Sequence, residues 1–130
     1  MTAHTLLRAS NISKAFGGVQ ALKEVSLTLN RGEIYGLIGP NGAGKTTFFN
    51  CLTGLYVPDS GAFTFDGAPL ISNAPDKTVR QGIARTFQNI RLFANMTALE
   101  NVMVGRHARL RSNILSDILR TPFNRREEQA

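Results

Sequence analysis

Apolar and polar residues alternate through "VSLTL" at 25–29, the period of a strand with one buried face. The next apolar run, "IYGLIG" at 34–39, does not alternate. It predicts a strand covered on both faces, as in a parallel sheet. Upstream, "LLRASNISKAF" starts strand-like and turns at Gly17-Gly18. After Lys45 a helix is predicted through "TTFFNCLTGL", ending near Gly54. "VPDSG" is a turn with Pro58 and Gly61, and "AFTFDG" at 62–67 is a strand that ends in an Asp-Gly turn. Asn73 is placed to cap a short helix through "APDKTVRQG", and "IARTF" at 83–87 reads as a further strand. "QNIRLFANM" is a loop. Thr97 and Glu100 then have capping-box spacing, a helix start. Ile114, Leu115, Ile118 and Leu119 share one helical face, and Pro122 breaks that helix. The last residues, "NRREEQA", look like the opening turns of another helix, so the chain is expected to be a fragment.

The join between the 34–39 strand and the helix carries the chemistry. Gly39-Pro40-Asn41-Gly42-Ala43-Gly44-Lys45-Thr46 satisfies G-x-x-x-x-G-K-[ST]. A backbone that wraps a polyphosphate must aim successive N–H groups inward, and glycine permits the positive φ angles this needs. The loop then delivers the phosphate to a helix N-terminus, where free N–H groups and the dipole favour negative charge. Lys45 supplies a cation for the β- and γ-phosphates, and Thr46 a hydroxyl for Mg²⁺. Thr47 adds a contact near the α- and β-phosphates. A plain glycine turn between strand and helix is the competing reading. The motif does not choose between ATP and GTP, or between a kinase, a GTPase and a transport motor.

Composition narrows the class. The 130 residues are 42% hydrophobic, enough for a packed core. One cysteine, Cys51, excludes an internal disulfide and reads as packing on the first helix. No apolar run approaches the ~20 residues of a membrane span, and the N-terminus has no signal-peptide pattern. Net charge is +6, with Arg106, Arg109, Arg111, Arg120, Arg125 and Arg126 crowded near the end. A solvated helix face and a surface for something anionic explain that cluster equally well. Phe123 is the only ring near it, which argues against nucleic acid.

The run "GLIGPNGAGKTTFFNCLTGLYVPDSGAFTFDG", with "TFQNIRLFANMTALENV" downstream, resembles the ATP-binding subunits of ABC transporters. The resemblance covers Leu7 to about His107. Within the family, "RTFQNIRLFANMTALENVMVG" and the Arg-rich stretch after residue 105 are most similar to the ATPases of bacterial branched-chain amino-acid importers. The resemblance implies an α/β fold: a P-loop core sheet with a small antiparallel β part from the N-terminal strands, as an incomplete domain. Residues 1–130 would form the N-terminal portion of one ATP-binding domain. Residues 1–104 would hold the β part, the P-loop core and the glutamine loop, and 105–130 would begin an Arg-rich helical segment. Phe16, in "KAFGG", matches the aromatic residue that stacks on adenine; ordinary core packing is the alternative for that ring. Gln88 matches the family's glutamine loop, whose amide reaches Mg²⁺ or the attacking water.

ATP and Mg²⁺ are the implied ligands. Membrane-embedded permease subunits and a second ATP-binding subunit, identical or not, are the implied partners. The implied place is the cytoplasmic face of the bacterial inner membrane, as a peripheral subunit. The segment from Gln88 to about His107 is expected to face the permease. The chain departs from the family pattern in lacking an "LSGGQ"-like signature, an apolar strand ending in Asp-Glu, and a switch histidine. His4 and His107 match no such position. Asp66 and Asp76 are the nearest acidic candidates, and neither follows the expected buried strand. Residues 1–130 alone are therefore expected to be inactive in hydrolysis, although the full subunit would be an ATPase. Two rivals remain: an ABC ATPase for another cargo, such as lipopolysaccharide or urea, and a short module that binds nucleotide without hydrolysing it.

Overall fold

The computed structural model describes residues 4–87, 89 and 92–106. The chain divides into two compact units, Met1–Thr86 and Phe87–Ala130, described here in turn.

In the first unit, β1 (Thr5–Phe16) and β2 (Val19–Asn30) form a long antiparallel hairpin. Gly17 and Gly18, at φ +52° and +86°, supply the left-handed turn that joins them. β3 (Ser60–Phe65) pairs with the other edge of β1, and the short β4 (Ala68–Pro69) with β3, giving the order β2-β1-β3-β4. The strand at 25–29 is thus the second half of a longer one. A positive φ at Glu24, +47°, and shifts in register interrupt the alternation before it. A bulge at Asn11 (φ +51°) bends β1, and Ser26 Oγ closes it, accepting from the Asn11 amide at 2.8 Å. Gly61 lies against this bulge; a Cβ there would overlap the Ser10 and Asn11 carbonyl oxygens.

One face of the sheet carries the core. Leu7, Ala9 and Ile12 of β1, Leu22 of β2 and Phe63 of β3 are buried against Phe48, Cys51 and Leu52 of α1 (Lys45–Leu52). Phe48 meets Phe63 in a T-shaped contact with ring centroids 5.6 Å apart. The helix stops at Gly54 (φ +76°), where the Leu55 and Tyr56 amides return to the Asn50 carbonyl. α2 (Pro75–Gln81) follows. Asn73 does not cap it: Ala74 is the N-cap residue, without a side-chain bond, and Asn73 takes a left-handed turn at φ +56°. Pro75 at the first position starts this helix instead, with its φ already set.

Two expected strands are absent. Residues 34–39 and 83–87 carry no ladder in the described structure. A strand exists only through its neighbours, and β2-β1-β3-β4 is the only sheet among the described residues. Leu37 and Ile83 still reach the core, but Ile34 and Ile38 are 102% and 96% exposed. The sequence expectation of a strand covered on both faces is corrected to an open, unpaired segment.

In the second unit, α3 (Ala98–Arg106) has the expected capping box. The Thr97 amide donates to Glu100 Oε2 at 2.7 Å, and the Glu100 amide to Thr97 Oγ1 at 3.3 Å. The Thr97 amide, and after it the Thr97 hydroxyl donating to the same Oε2 at 2.8 Å, hold the Glu100 carboxyl below the usual glutamate range. Asn101 Nδ2 also bonds the Phe93, Met96 and Thr97 carbonyls, which fastens the preceding turn to the helix. The expected helix around Ile114–Leu119, the Pro122 break and the arginine cluster beyond Arg106 lie outside the described residues.

Candidate functional site: a phosphate loop and an aromatic corner

The loop from Gly39 to Gly44 is held at both ends. At its exit Gly44, at φ +88°, is the N-cap of α1, and a Cβ on it would overlap the Ala21 carbonyl oxygen of β2. Only glycine lets the helix start so close to the hairpin. Gly42 is also left-handed (φ +85°), and the Ala43 amide returns to the Pro40 carbonyl at 3.2 Å. At its entrance a Cβ on Gly39 would sit 3.1 Å from the Ala43 Cβ. Gly42 and Gly44 thus take up the left-handed conformations of a tight loop, closed by the Ala43–Pro40 bond.

The first bond of α1 runs from the Phe48 amide to the Gly44 carbonyl. The amides of Lys45, Thr46 and Thr47 stand ahead of that ladder. The first turn has no acidic residue and no side-chain cap, so no carboxylate of that turn competes with an anion there. Lys45 Nζ donates to the Gly39 carbonyl, and to the Pro40 carbonyl at 2.7 Å. The ammonium thus lies across the mouth of the loop. Thr46 is exposed and Thr47 half-buried. Asn41 is exposed at the tip. These features fit a polyphosphate. No group of three or more His, Cys, Asp or Glu side chains among the described residues could hold a metal ion. Among the described residues, a Mg²⁺ ion here would depend on the Thr46 hydroxyl together with phosphate oxygens, which suits an ion that is bound largely through its nucleotide.

Phe16 ends β1 and is 44% exposed, so core packing does not account for it. Its ring makes a T-shaped contact with Tyr56 at 5.3 Å, and Lys14 Nζ lies over it, 5.4 Å from the centroid. Phe16 pairs with Val19, two residues from the Ala21 carbonyl that abuts Gly44. At ~3.3 Å per strand residue, that offset is about 7 Å, a distance a nucleoside can span. Tyr56, Lys14 and Asp59 carry no local signal in the sequence, because Lys14 meets Asp59 across 45 residues of chain and Phe16 meets Tyr56 across 40.

Gln88 lies outside the described residues. The segment that leads to it is fastened to the same helix: Arg85 Nη1 donates to Asn50 Oδ1 at 2.6 Å and lies over the Phe49 ring. Asp66 is engaged with Arg31 at 3.0 Å, and Asp76 sits in the first turn of α2. Cys51 is a buried packing residue, and burial pushes its thiol pKa up.

Comparison with known proteins identifies the family. The family model described as "ABC transporter" matches residues 22–129. The branched-chain amino-acid transport ATP-binding protein BraF of Pseudomonas aeruginosa is 44% identical over 95% of this chain and 49% of its own length. LivG of Salmonella typhimurium, named for the same transport, is 46% identical over 95% of this chain and 48% of its own. The chain thus spans about half the length of the curated relatives it matches. Among solved structures, the ADP conformation of an ATP-binding cassette of an ABC transporter matches with a TM-score of 0.72. It is 35% identical, over 91% of this chain and 46% of that one. The small antiparallel sheet with its helices is therefore part of an α/β cassette, and the chain belongs to the ABC transporter family.

Proposed function

We propose that residues 1–130 are the nucleotide-gripping portion of one ATP-binding domain, in a subunit that powers an ABC importer of branched-chain amino acids. The observation that carries the reading is the start of α1. There, Gly42 and Gly44 are left-handed, the first turn has no acidic residue and no side-chain cap, and the Lys45 ammonium is held at the Gly39 and Pro40 carbonyls of the loop. Gly39, Pro40, Asn41, Gly42, Ala43 and Gly44 wrap the phosphates. Lys45 neutralises the β- and γ-oxygens, and Thr47 contacts the α/β side. Thr46 and Gln88 take Mg²⁺, which spreads the charge of the terminal phosphates, and Phe16 takes the base. Hydrolysis, with Lys45 and Gln88 as catalytic residues, belongs to the full subunit, which pairs with a second ATP-binding subunit and works on permease subunits from the cytoplasmic face of the bacterial membrane. The importer assignment is supported by the names of the relatives at 44–46% identity.

The permease contact falls on the segment 88–107. An open apolar hollow of about 470 Å³ on α3, lined by Met96, Met103 and Val104 with Glu100 beside them, supports that placement.

The test is Mg·ATP binding by calorimetry to the chain and to Lys45→Ala. Charge-assisted hydrogen bonds contribute about 1.5–3 kcal/mol, so Lys45→Ala should bind at least roughly tenfold more weakly. Equal affinity in the two proteins would refute the phosphate-loop reading.

A further inference from the structure

The corner around Phe16 contains a clamp that the nucleotide-binding reading does not use. Phe16 is followed by Gly17 and Gly18, both left-handed, so the backbone beyond it does little to fix the ring. Its orientation depends on what holds β1 from the side. Asp59 does this three times. Its Oδ1 accepts from Lys14 Nζ at 2.7 Å, its Oδ2 accepts from the Ala15 amide at 2.7 Å, and its own amide donates to the Ser13 carbonyl at 2.8 Å. Lys14 is two residues before Phe16 and therefore on the same face of the strand. Its side chain is only 17% exposed, low for a surface lysine, because the ammonium is held between the Asp59 carboxylate and the Phe16 ring. Tyr56, on the same turn as Asp59, packs against that ring. These bonds keep the Asp59 carboxyl below the usual aspartate range, the Lys14 contact first and the Ala15 amide second.

We propose that Asp59 is a positioning residue for nucleobase recognition: by locking Lys14 and the Ala15 amide, it sets the Phe16–Tyr56 corner in the orientation that receives the base. The inference rests on the reading of Phe16 and the phosphate loop given above. It adds a mechanical link. The helix whose first turn meets the phosphates carries, just past its end, the two residues that fix the aromatic corner. One short segment thus sets the spacing between the two ends of a nucleotide. As a bare surface ion pair, Lys14–Asp59 would contribute little. Its significance lies in what it orients, and that is measurable separately from stability.

The experiment compares Mg·ATP with Mg·tripolyphosphate, which has the phosphates and no base. Both are titrated into the chain and into Asp59→Ala, Asp59→Asn, Lys14→Met and Phe16→Ala, with a thermal melt of each to establish folding. A base–aromatic stack is lost in part when its ring swings free. Asp59→Ala and Lys14→Met should therefore weaken ATP about five- to tenfold and leave tripolyphosphate within about twofold. Asp59→Asn, which keeps an acceptor for the Ala15 amide, should fall between wild type and Asp59→Ala. Added to Phe16→Ala, Asp59→Ala should cost nothing further. Unchanged ATP affinity in Asp59→Ala would overturn the proposal. So would an equal loss for both ligands, or an undiminished loss in the Phe16→Ala background. If the wild type shows no Lys45-dependent ATP binding, the parent reading fails and this one with it. If that binding is intact and Asp59 is indifferent, only this one fails.

Discussion

Phe16 separates two accounts of a single ring. A buried phenylalanine would serve the core; this one is 44% exposed at a strand end, against Tyr56 and under Lys14. If it carries the base, Phe16→Ala should weaken ATP binding by about 1–3 kcal/mol, and Phe16→Tyr should be tolerated because stacking uses the ring face. Competition between ATP and a fluorescent analogue reads this directly. Equal affinity in Phe16→Ala would remove the ring from the site. The sequence raised both accounts and did not decide between them, since exposure depends on which strands flank residue 16. It was silent on Lys14 and Asp59, which are 45 positions apart and meet only because β3 returns alongside β1.

At the scale of elements, what was legible was local. The capping box of Thr97 and Glu100 is written within four residues and forms as read. α3 has no buried residue to stabilise it, so its cap weighs more than usual. Thr97→Ala should cost roughly 1 kcal/mol, seen as faster amide hydrogen exchange in 98–102, with no change in the β1–β2 hairpin. An unchanged exchange rate would show that the cap is not what holds this helix. The glycine loop was also legible, because its glycines answer to backbone geometry at their own positions. Gly44 goes further. Its left-handed φ could be read from the motif, but its contact with the Ala21 carbonyl could not. Gly44→Ala must both enter the left-handed region and push the helix start off β2. It should destabilise the chain by about 1–3 kcal/mol and abolish ATP binding. A melting temperature within a degree of wild type would contradict that packing. The Asn73 cap failed because an asparagine ahead of a helix satisfies a left-handed turn equally well, and Pro75 needed no cap partner. The runs at 34–39 and 83–87 failed as strands for a non-local reason: an apolar run states a preference for burial, while a strand needs a partner's hydrogen bonds.

On the scale of the whole molecule, the described chain has the parts of a grip more clearly than the parts of a reaction. Hydrolysis requires a water held in line and charge stabilised on the transferring phosphoryl group. Asp66 is tied to Arg31 and Asp76 lies in the first turn of α2; in the function proposed above, Thr46 and Lys45 are committed to binding Mg²⁺ and the phosphates. Ile34 and Ile38 stand open to solvent beside the loop's entrance, an apolar edge that invites association between chains at high concentration. The most direct measurement is a single-turnover assay at low protein concentration: trace labelled Mg·ATP, excess chain 1–130, Lys45→Ala as control, and analysis of the nucleotide that stays bound. The account predicts label retained by the wild type and lost by Lys45→Ala, with the retained nucleotide still ATP. Conversion of bound ATP to ADP that depends on Lys45, or retention that ignores Lys45, would contradict it.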